Sequence, residues 1–365
     1  MENSPNRVIA SSMKQLLEVP IIIWPIAAWR RLWVIPLLAI ALQSCGIGPA
    51  ADIGDAEATF TDNQFRTARI HLLNILNEDR SNVAANLLYA RTMLALGDGI
   101  AAQSALDKLA SSQANNPDYI ALQAHADIIR GQPLKAISRL EQLPAHTYTD
   151  QIYRMLIWAH MENDSLEDDP ELFAEALERY DDSADIHALI GRHAINNGDW
   201  DIARRAMETA LQNDGENYEA LLLKAEMQIY DADLQSAKST YRSIASLFPD
   251  HAVPMANIAG LEIDQGRYDA AAQMIRETAT QHPDFPFLQF QKARLAFAQQ
   301  DYRQANDILQ AMPDYIHDYP PALVLSADIA EHLGNREIAI ARLERLLAIV
   351  PDDDTARDKL SSLKL

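Results

Sequence analysis

Residues 184–217 read ADIHALIGRHAINNGDWDIARRAMETALQNDGEN, and this stretch decides the fold. Apolar residues recur at helical spacing from Ile186 to Ile195, which predicts a first helix. Gly198 predicts the end of that helix, because glycine adopts the left-handed conformation at a helix terminus without a Cβ penalty. Asp199 is placed to cap a second helix from about Trp200 to Leu211. The stretch therefore predicts a helix–turn–helix unit.

The same pattern returns every 34 residues through 184–353, without insertion or deletion. The five units begin at Ala184, Tyr218, Ala252, Pro286 and Pro320. A small residue occupies the eighth place of each unit: Gly191, Ala225, Ala259, Ala293, Ala327. Alanine occupies the twentieth place: Ala203, Ala237, Ala271, Ala305, Ala339. A large apolar residue occupies the twenty-fourth place: Met207, Tyr241, Ile275, Leu309, Leu343.

A 34-residue period with these small and large places is the signature of the tetratricopeptide repeat (TPR). Small residues at the eighth and twentieth places let the two helices of a unit approach closely, where larger side chains would overpack. One helical pair cannot bury its own apolar face, so neighbouring units must stack. The sequence therefore predicts an all-α protein, a right-handed α-solenoid of about eight TPR units. Its 48% hydrophobic content and few glycines agree with this fold class.

The same register extends upstream of 184. Units begin at Val83 and Pro117, and a partial unit begins near Asp62, with a helix predicted over 63–77. The unit at about 150–183 is degenerate, and its acidic break at 162–170 predicts a loop and a bend between two sub-arrays. The predicted organisation is a signal peptide over 1–44, a tether over 45–60, N-terminal units over 61–163, a C-terminal array over 164–353 and a capping helix over 354–365.

The N-terminal segment has the composition of a secretion signal. Leu32 to Leu42 is an apolar run of 11 residues, which is too short to cross a bilayer of about 30 Å as a helix. Basic residues before it and small residues after it are typical of a signal peptide. One continuous span through Arg30 and Arg31 is disfavoured, because two central charges are costly in hydrocarbon. Translation from Met13 is an alternative start.

The only cysteine of the chain follows this segment. Leu42-Gln43-Ser44-Cys45 resembles the lipobox of bacterial lipoproteins, with Cys45 as the lipidated residue. The alternative is an ordinary free or buried thiol. The resemblance implies a lipid anchor and a periplasmic location. Gly46 stands where aspartate retains many Gram-negative lipoproteins in the inner membrane, so the resemblance further implies the periplasmic face of the outer membrane.

The composition is strongly acidic. The chain has 31 basic and 52 acidic residues, and four and two of these fall within residues 1–44, which leaves a formal charge of −23 for the remainder. This balance argues against nucleic acid as a partner, because phosphates need basic contacts. It also argues against docking on anionic lipid by charge alone.

Motifs of known enzyme classes do not occur in the sequence. It has no phosphate-binding G-x-x-x-x-G-K-[ST], no G-x-S-x-G and no H-E-x-x-H. His187 and His193 share a predicted helix without a carboxylate at metal-ligand spacing. We therefore predict a non-enzymatic protein without cofactor, metal site or catalytic residues.

Surface recognition remains as the predicted activity. In TPR proteins, places 2, 5, 9, 12 and 13 of the first helix line a concave groove. Carrying this register over gives candidate groove residues for a partner helix or extended peptide. They are Leu87, Arg91, Leu94, Ile128, Arg192, Ile195, Leu222, Ile229, Tyr230, Ile263, Phe290, Arg294 and Phe297. The alternative for the apolar members is packing against the neighbouring unit.

A finer resemblance concerns function. The segments 68–76, 87–102 and 287–302, followed by Pro321-Ala322-Leu323-Val324-Leu325, are similar to the TPR lipoprotein of exosortase (PEP-CTERM) exopolysaccharide systems. This resemblance implies a scaffold that binds protein segments of an envelope export or assembly complex. One alternative is a pilotin-like lipoprotein that assists secretin or pilus assembly. Another is an adaptor for outer-membrane biogenesis or cell-wall enzymes.

Overall fold

The computed structural model describes residues 52–166, 169, 171–283 and 285–365. Cys45 and the predicted signal peptide lie outside this part of the chain. Within it, the structure has twenty α-helices, two short 3₁₀ turns and no strand. The α-helices are α1 Ile53–Thr61, α2 Phe65–Glu78, α3 Val83–Ala95, α4 Gly99–Asp107, α5 Ala110–Gln113, α6 Pro117–Ile129, α7 Pro133–Leu140, α8 Asp150–Glu162, α9 Leu172–Arg179, α10 Ala184–Asn196, α11 Trp200–Asn213, α12 Tyr218–Tyr230, α13 Leu234–Leu247, α14 Val253–Asp264, α15 Tyr268–Gln281, α16 Pro286–Ala298, α17 Tyr302–Gln310, α18 Pro320–His332, α19 Arg336–Ile349 and α20 Asp354–Lys364.

The helices are arranged as consecutive packed pairs. The described residues form nine pairs: α1/α2, α3/α4, α6/α7, α8/α9, α10/α11, α12/α13, α14/α15, α16/α17 and α18/α19. The second helix of each pair also packs on the first helix of the next pair, so the units stack in one series. This arrangement confirms the predicted all-α solenoid, with nine pairs where the sequence predicted about eight units.

The small residues lie where the two helices of a pair meet. Every alanine at the eighth and twentieth places has no solvent exposure, including Ala259 and Ala271. Gly191 is required by its neighbour, since a Cβ there would lie 2.8 Å from Cδ1 of Leu223 in the following unit. The prediction that these places allow close approach is therefore correct, and the contact extends to the next unit.

One residue in each pair adopts a left-handed backbone conformation in the turn between the two helices. The nine residues are Asn63, Gly97, Gly131, Asp164, Gly198, Ala232, Gly266, Gln300 and Gly334. Asp164 shows that the degenerate unit keeps the same turn in spite of its acidic sequence. Ala232 and Gln300 have φ of 61° and 65°, a conformation that is costly for a side chain with a Cβ and no local hydrogen-bonding advantage.

The predicted tether is partly wrong. Residues 53–60 belong to α1, which forms a complete first unit with α2. Asp52 caps α1 by accepting a hydrogen bond from the Gly54 backbone N–H at 3.1 Å. Ala56 is fully buried against α2 in the same cluster as Leu72. The Gly, Ala and Asp content suggested a linker, but Ala56 provides the small contact that a first helix needs.

The C-terminal helix covers the last unit. α20 places Ala356 against Leu343 and Leu346 of α19. Asp353 caps it by accepting a hydrogen bond from the Ala356 N–H at 2.8 Å. Without α20, the apolar side of the last pair would face water, which terminal repeats must avoid.

The array curves far enough for its first pair to touch a distant unit. The Asn63 side-chain amide donates to the Leu247 carbonyl oxygen at 3.1 Å, across 184 residues of sequence. The Arg66 backbone N–H donates to the Asp250 carboxylate at 2.9 Å. The turn between α1 and α2 therefore lies against the junction of α13 and α14, and the intervening units form a closed turn.

We predict that Ala232→Gly raises the free energy of unfolding by about 1 kcal/mol, because glycine removes the Cβ strain of the left-handed turn. Urea unfolding followed by circular dichroism measures the change. Ala341→Gly is the control, since Ala341 is an exposed residue inside α19 where glycine should lower stability by roughly 0.5–1 kcal/mol. Equal losses in the two variants would contradict the strain argument.

Candidate functional site: the inner face of the array

The first helices of the units form the inside of the curve. Successive first helices approach one another more closely than successive second helices do. Here "inner face" means the side formed by places 2, 5, 9, 12 and 13 of the first helices, which include the thirteen candidate residues.

Six of the candidates belong to the core. Leu94, Ile128, Ile195, Leu222, Ile263 and Phe290 are each at most 7% exposed. Ile195, for example, packs in one cluster with Met207 of its own unit and Leu223 of the next. The packing alternative therefore holds for these six residues. At these six positions the side chain at place 5 or 12 faces a neighbouring helix, whereas Leu87, Ile229 and Phe297 at the same places are only half-buried.

The remaining apolar candidates stay accessible. Leu87, Ile229 and Phe297 are half-buried, and Tyr230 is 38% exposed. Arg91 is exposed as well. These residues are the part of the predicted groove that a partner can contact.

Aromatic side chains extend this accessible part across unit boundaries. Trp200 stacks on Tyr230 of the next unit, with ring centroids 3.9 Å apart and an interplanar angle of 13°. Tyr302 stacks on His332 of the next unit at 4.3 Å and 5°, and Phe297 meets Tyr302 edge-on at 5.4 Å. Such ring contacts stabilise the boundary by about 0.5–1.5 kcal/mol each.

Both stacks join place 17 of one unit to place 13 of the following unit. We call Trp200, Ile229 and Tyr230 the first aromatic patch, and Phe297, Tyr302 and His332 the second. The sequence prediction missed Trp200 and Tyr302, because it considered only the first helices, and it also left out His332, which occupies the thirteenth place of a first helix. A detectable signal was the aromatic residue at place 17 followed by a ring at place 13 of the next unit.

The two candidate arginines are paired with carboxylates of neighbouring units. Arg192 binds Glu226 through two hydrogen bonds of 2.5 and 3.0 Å, and both side chains are largely buried. Arg294 pairs with Asp264 and also donates to Gln291. Each of these guanidinium groups already binds a carboxylate and has little capacity left to bind a ligand. The two arginines therefore hold adjacent units together.

Gly260 makes room for one of these pairs. A Cβ at Gly260 would lie 3.0 Å from the Gln291 amide and 3.1 Å from Arg294 Nη1. The space that a side chain at this ninth place would fill is thus occupied by the polar groups of Gln291 and Arg294 from the next unit. The boundary between these two units is therefore stabilised both by the close packing at Gly260 and by the ion pair between Arg294 and Asp264.

Further ion pairs continue along the inner side of the array. Arg154 lies 2.7 Å from Asp185 of the next unit. Lys359 of the capping helix pairs with Asp328 and lies 3.0 Å from Glu331. Each of these cations is therefore matched by a carboxylate from a neighbouring helix.

Glu219 and His125 are two titratable groups of this region whose pKa values burial shifts. Burial raises the pKa of the Glu219 carboxyl, an effect that Arg192 partly opposes and Glu226 and Asp185 reinforce. Burial and the nearby Arg154 cation lower the pKa of His125 to about 3, so this ring is neutral at physiological pH. Burial therefore disfavours the charged form of both groups in the middle of the inner face.

No group of three or more His, Cys, Asp or Glu side chains in the described part of the chain could hold a metal ion. No helix within those ranges is long and apolar enough to cross a membrane.

Comparison with known proteins agrees with the fold. Residues 60–126 and 189–252 each match a family model of the tetratricopeptide repeat. A search of curated protein sequences gives no match. Among solved structures, a chain of the APC/C hetero-tetramer Cut9–Hcn1 is similar with a TM-score of 0.62 and 14% identity, over 84% of this chain and 68% of that one.

Two further solved structures show the range of similarity. The human IFIT1 dimer with PPP-AAAA has a TM-score of 0.54 and 16% identity, over 84% of this chain and 79% of that one. PilF of Pseudomonas aeruginosa has a TM-score of 0.42 and 17% identity, over 58% and 97%, and at that score it carries no argument. The matches and the fold together support a TPR protein, a class whose members generally act as non-catalytic scaffolds that bind other proteins.

We predict that Glu219→Gln raises the urea midpoint at pH 7.5. Because burial raises the pKa of Glu219, its ionisation costs native stability as pH rises through that pKa. Glutamine removes this cost, so native and variant midpoints should converge at pH 4.5 or below. Glu216→Gln, at an exposed residue in the preceding loop, should leave the urea midpoint unchanged at both pH 7.5 and pH 4.5. A lower midpoint for Glu219→Gln at pH 7.5 would contradict the prediction.

Proposed function

We propose that this protein is a lipid-anchored scaffold in the periplasm, which binds a protein segment of an envelope export or assembly complex through the two aromatic patches. The observation that carries the proposal is the accessibility of these patches on an inner face where six of the thirteen candidate residues are buried and two more are ion-paired. Rings with an apolar body and a polar edge are suited to binding a peptide segment, because they bury area at low conformational cost.

The spacing of the patches favours an elongated ligand. Trp200 and Tyr302 occupy the same place in units that are three repeats apart. A helix or extended chain that follows the first helices can contact both patches, whereas a small molecule cannot. The chain is strongly acidic, and Glu219 lies in the same unit as Tyr230, so a ligand with basic residues near its apolar anchors fits best.

The sequence before the array supports the membrane part of the proposal. Leu42-Gln43-Ser44-Cys45 resembles a lipobox, and Cys45 is only seven residues before the Asp52 cap of α1. A lipidated Cys45 would keep the array next to the membrane surface. Similarity to the TPR lipoprotein of exosortase systems supports exopolysaccharide export as the pathway, and Gly46 supports the outer membrane.

Removal of the proposed anchor gives the first test. We predict that Cys45→Ser abolishes acylation and moves the protein from the membrane to the soluble fraction. Mass spectrometry of the N-terminal peptide and fractionation of cells measure the two effects. Ser44→Ala is the control, because it keeps a small residue before the cysteine and should leave both unchanged. Membrane retention of Cys45→Ser at the native level would show that the lipoprotein assignment is wrong.

The inner face is tested with a photo-crosslinking amino acid at Arg91, which is exposed. We predict a crosslink to one envelope protein in living cells. Ile229→Glu with Phe297→Glu should reduce that crosslink at least tenfold, because a buried carboxylate at the interface costs several kcal/mol. Circular dichroism should show unchanged helical content.

A matched control uses the same chemical change on second helices. Ile202 and Ile338 are exposed isoleucines of α11 and α19, and their double replacement by glutamate should leave the crosslink intact. Equal loss in both double variants would disprove specific binding at the patches. A secretin or pilin as the crosslinked protein would favour the pilus-assembly alternative over polysaccharide export.

A further inference from the structure

The contact that closes the array is a small and polar interface. It consists of the turn between α1 and α2, with Asn63, Phe65 and Arg66, against Leu247, Asp250 and His251 at the junction of α13 and α14, and His282 after α15. We call these seven residues the clasp. Few groups hold it together, in contrast to the continuous apolar packing inside each unit. Contacts of this kind open at a low free-energy cost.

His251 lies at the centre of the clasp. Its ring centroid is 4.6 Å from that of Tyr218, 5.7 Å from that of Phe65 and 5.8 Å from that of Phe248. The Nε2 atom is buried without a hydrogen-bond partner, and the ring hydrogen-bonds the backbone of Ala95. A proton on Nε2 would be a buried donor with nothing to receive it, so the closed state requires a neutral ring.

His282 is neutral for a different reason. Arg66 Nη2 lies 2.8 Å from its Nδ1, and a guanidinium can only donate hydrogen bonds. The ring nitrogen must therefore accept, which a protonated imidazole cannot do. Asp250 lies 3.6 Å from Arg66 Nε, but this carboxylate is already shared with the Arg66 backbone N–H.

Both rings respond to pH in the same direction. Burial lowers the pKa of His251 to about 4, against the opposing effects of Asp250 and Ala95. Burial, followed by the Arg66 charge, lowers the pKa of His282 to about 4, against the effect of Asp250. Tyr218 from α12 is the other titratable group in contact, and burial keeps its pKa well above 10. A histidine with a lowered pKa stabilises the closed state at high pH and opposes closure as pH falls below about 6.5.

We propose that the clasp is a pH-sensitive closure of the solenoid, held by neutral His251 and His282 and released when these two rings are protonated. Release separates the first unit from the α13–α14 junction while every helical pair stays intact. The array then opens through small adjustments at each unit boundary, which changes the curvature of the inner face. This inference does not depend on the proposed partner or on the lipid anchor.

The size of the effect follows from linkage. A ring whose pKa shifts from about 6.5 to about 4 weakens closure about tenfold between pH 7.5 and 5.5. Two rings together give about a hundredfold change. The lower limit of pH 5.5 stays above the isoelectric point of 4.8, where an acidic chain loses solubility.

The Arg66 amide reports the opening directly. Arg66 lies in the first turn of α2, where backbone N–H groups have no partner within the helix. Its hydrogen bond to Asp250 is therefore made only in the closed state. Hydrogen exchange of the full chain in detergent, measured at single-amide resolution and corrected for the intrinsic pH effect, gives the opening equilibrium even when opening is rare.

We expect the protection factor of the Arg66 amide to fall about a hundredfold from pH 7.5 to 5.5 in the native protein. His251→Asn with His282→Gln should keep the hydrogen bonds of the neutral rings and reduce the drop to less than about threefold. His146→Gln, at an exposed histidine outside the clasp, should behave as the native protein. The Leu72 amide inside α2 should stay protected throughout.

Two results would overturn the proposal. One is a native Arg66 amide whose protection does not change with pH, and the other is a double variant that keeps the full hundredfold drop. If the Arg66 amide of the double variant is unprotected already at pH 7.5, the two single variants, His251→Asn and His282→Gln, provide the test. In each single variant the protection factor should then fall only about tenfold between pH 7.5 and 5.5. A single variant that keeps the native hundredfold fall would overturn the role of the histidine that it replaces.

Discussion

The close contact between the two helices of each unit determines the rest of the structure. Alanine at places 8 and 20 lets the helices touch at their backbones, and Leu223 shows that the next unit uses the same space. The first helices are consequently drawn together along the inside of the curve. Most side chains at places 5 and 12 of the described units, among them the buried Ile195 and Ile263, then face a neighbour. The accessible inner face is reduced to the boundaries between units, where Trp200 and Tyr302 are located.

The sequence predicted those features that are repeated within a unit. The period determines which residues are small, where Gly198 and Gly266 turn the chain and where each helix begins. It could not predict how deeply a place is buried, because burial depends on the curvature that the neighbouring units produce. Residues 53–60 were assigned to a tether for a related reason. Their composition is that of a linker, and only the contact of Ala56 with α2 shows that they form a helix.

Contacts between units differ in how far they could be predicted. Arg192 and Glu226 occupy the same ninth place in consecutive units, so reading this column of the repeat suggests their pairing. The stack of Trp200 on Tyr230 joins two different places, yet the same two places recur in Tyr302 and His332. The contact of Arg66 with Asp250 and His282 has no counterpart in the period. It arises from the summed curvature of the intervening units, which no local pattern records.

The distribution of charge restricts the partners that the inner face can accept. Arg154, Arg192, Arg294 and Lys359 all pair with carboxylates of adjacent helices. These cations neutralise the protein's own acids, so they are not available to phosphates. Human IFIT1 with PPP-AAAA has a similar fold, but a similar fold does not provide a similar site. Binding of an anionic ligand here would require breaking partly buried ion pairs, each leaving an unpaired carboxylate, whereas a basic or apolar segment leaves all of them intact.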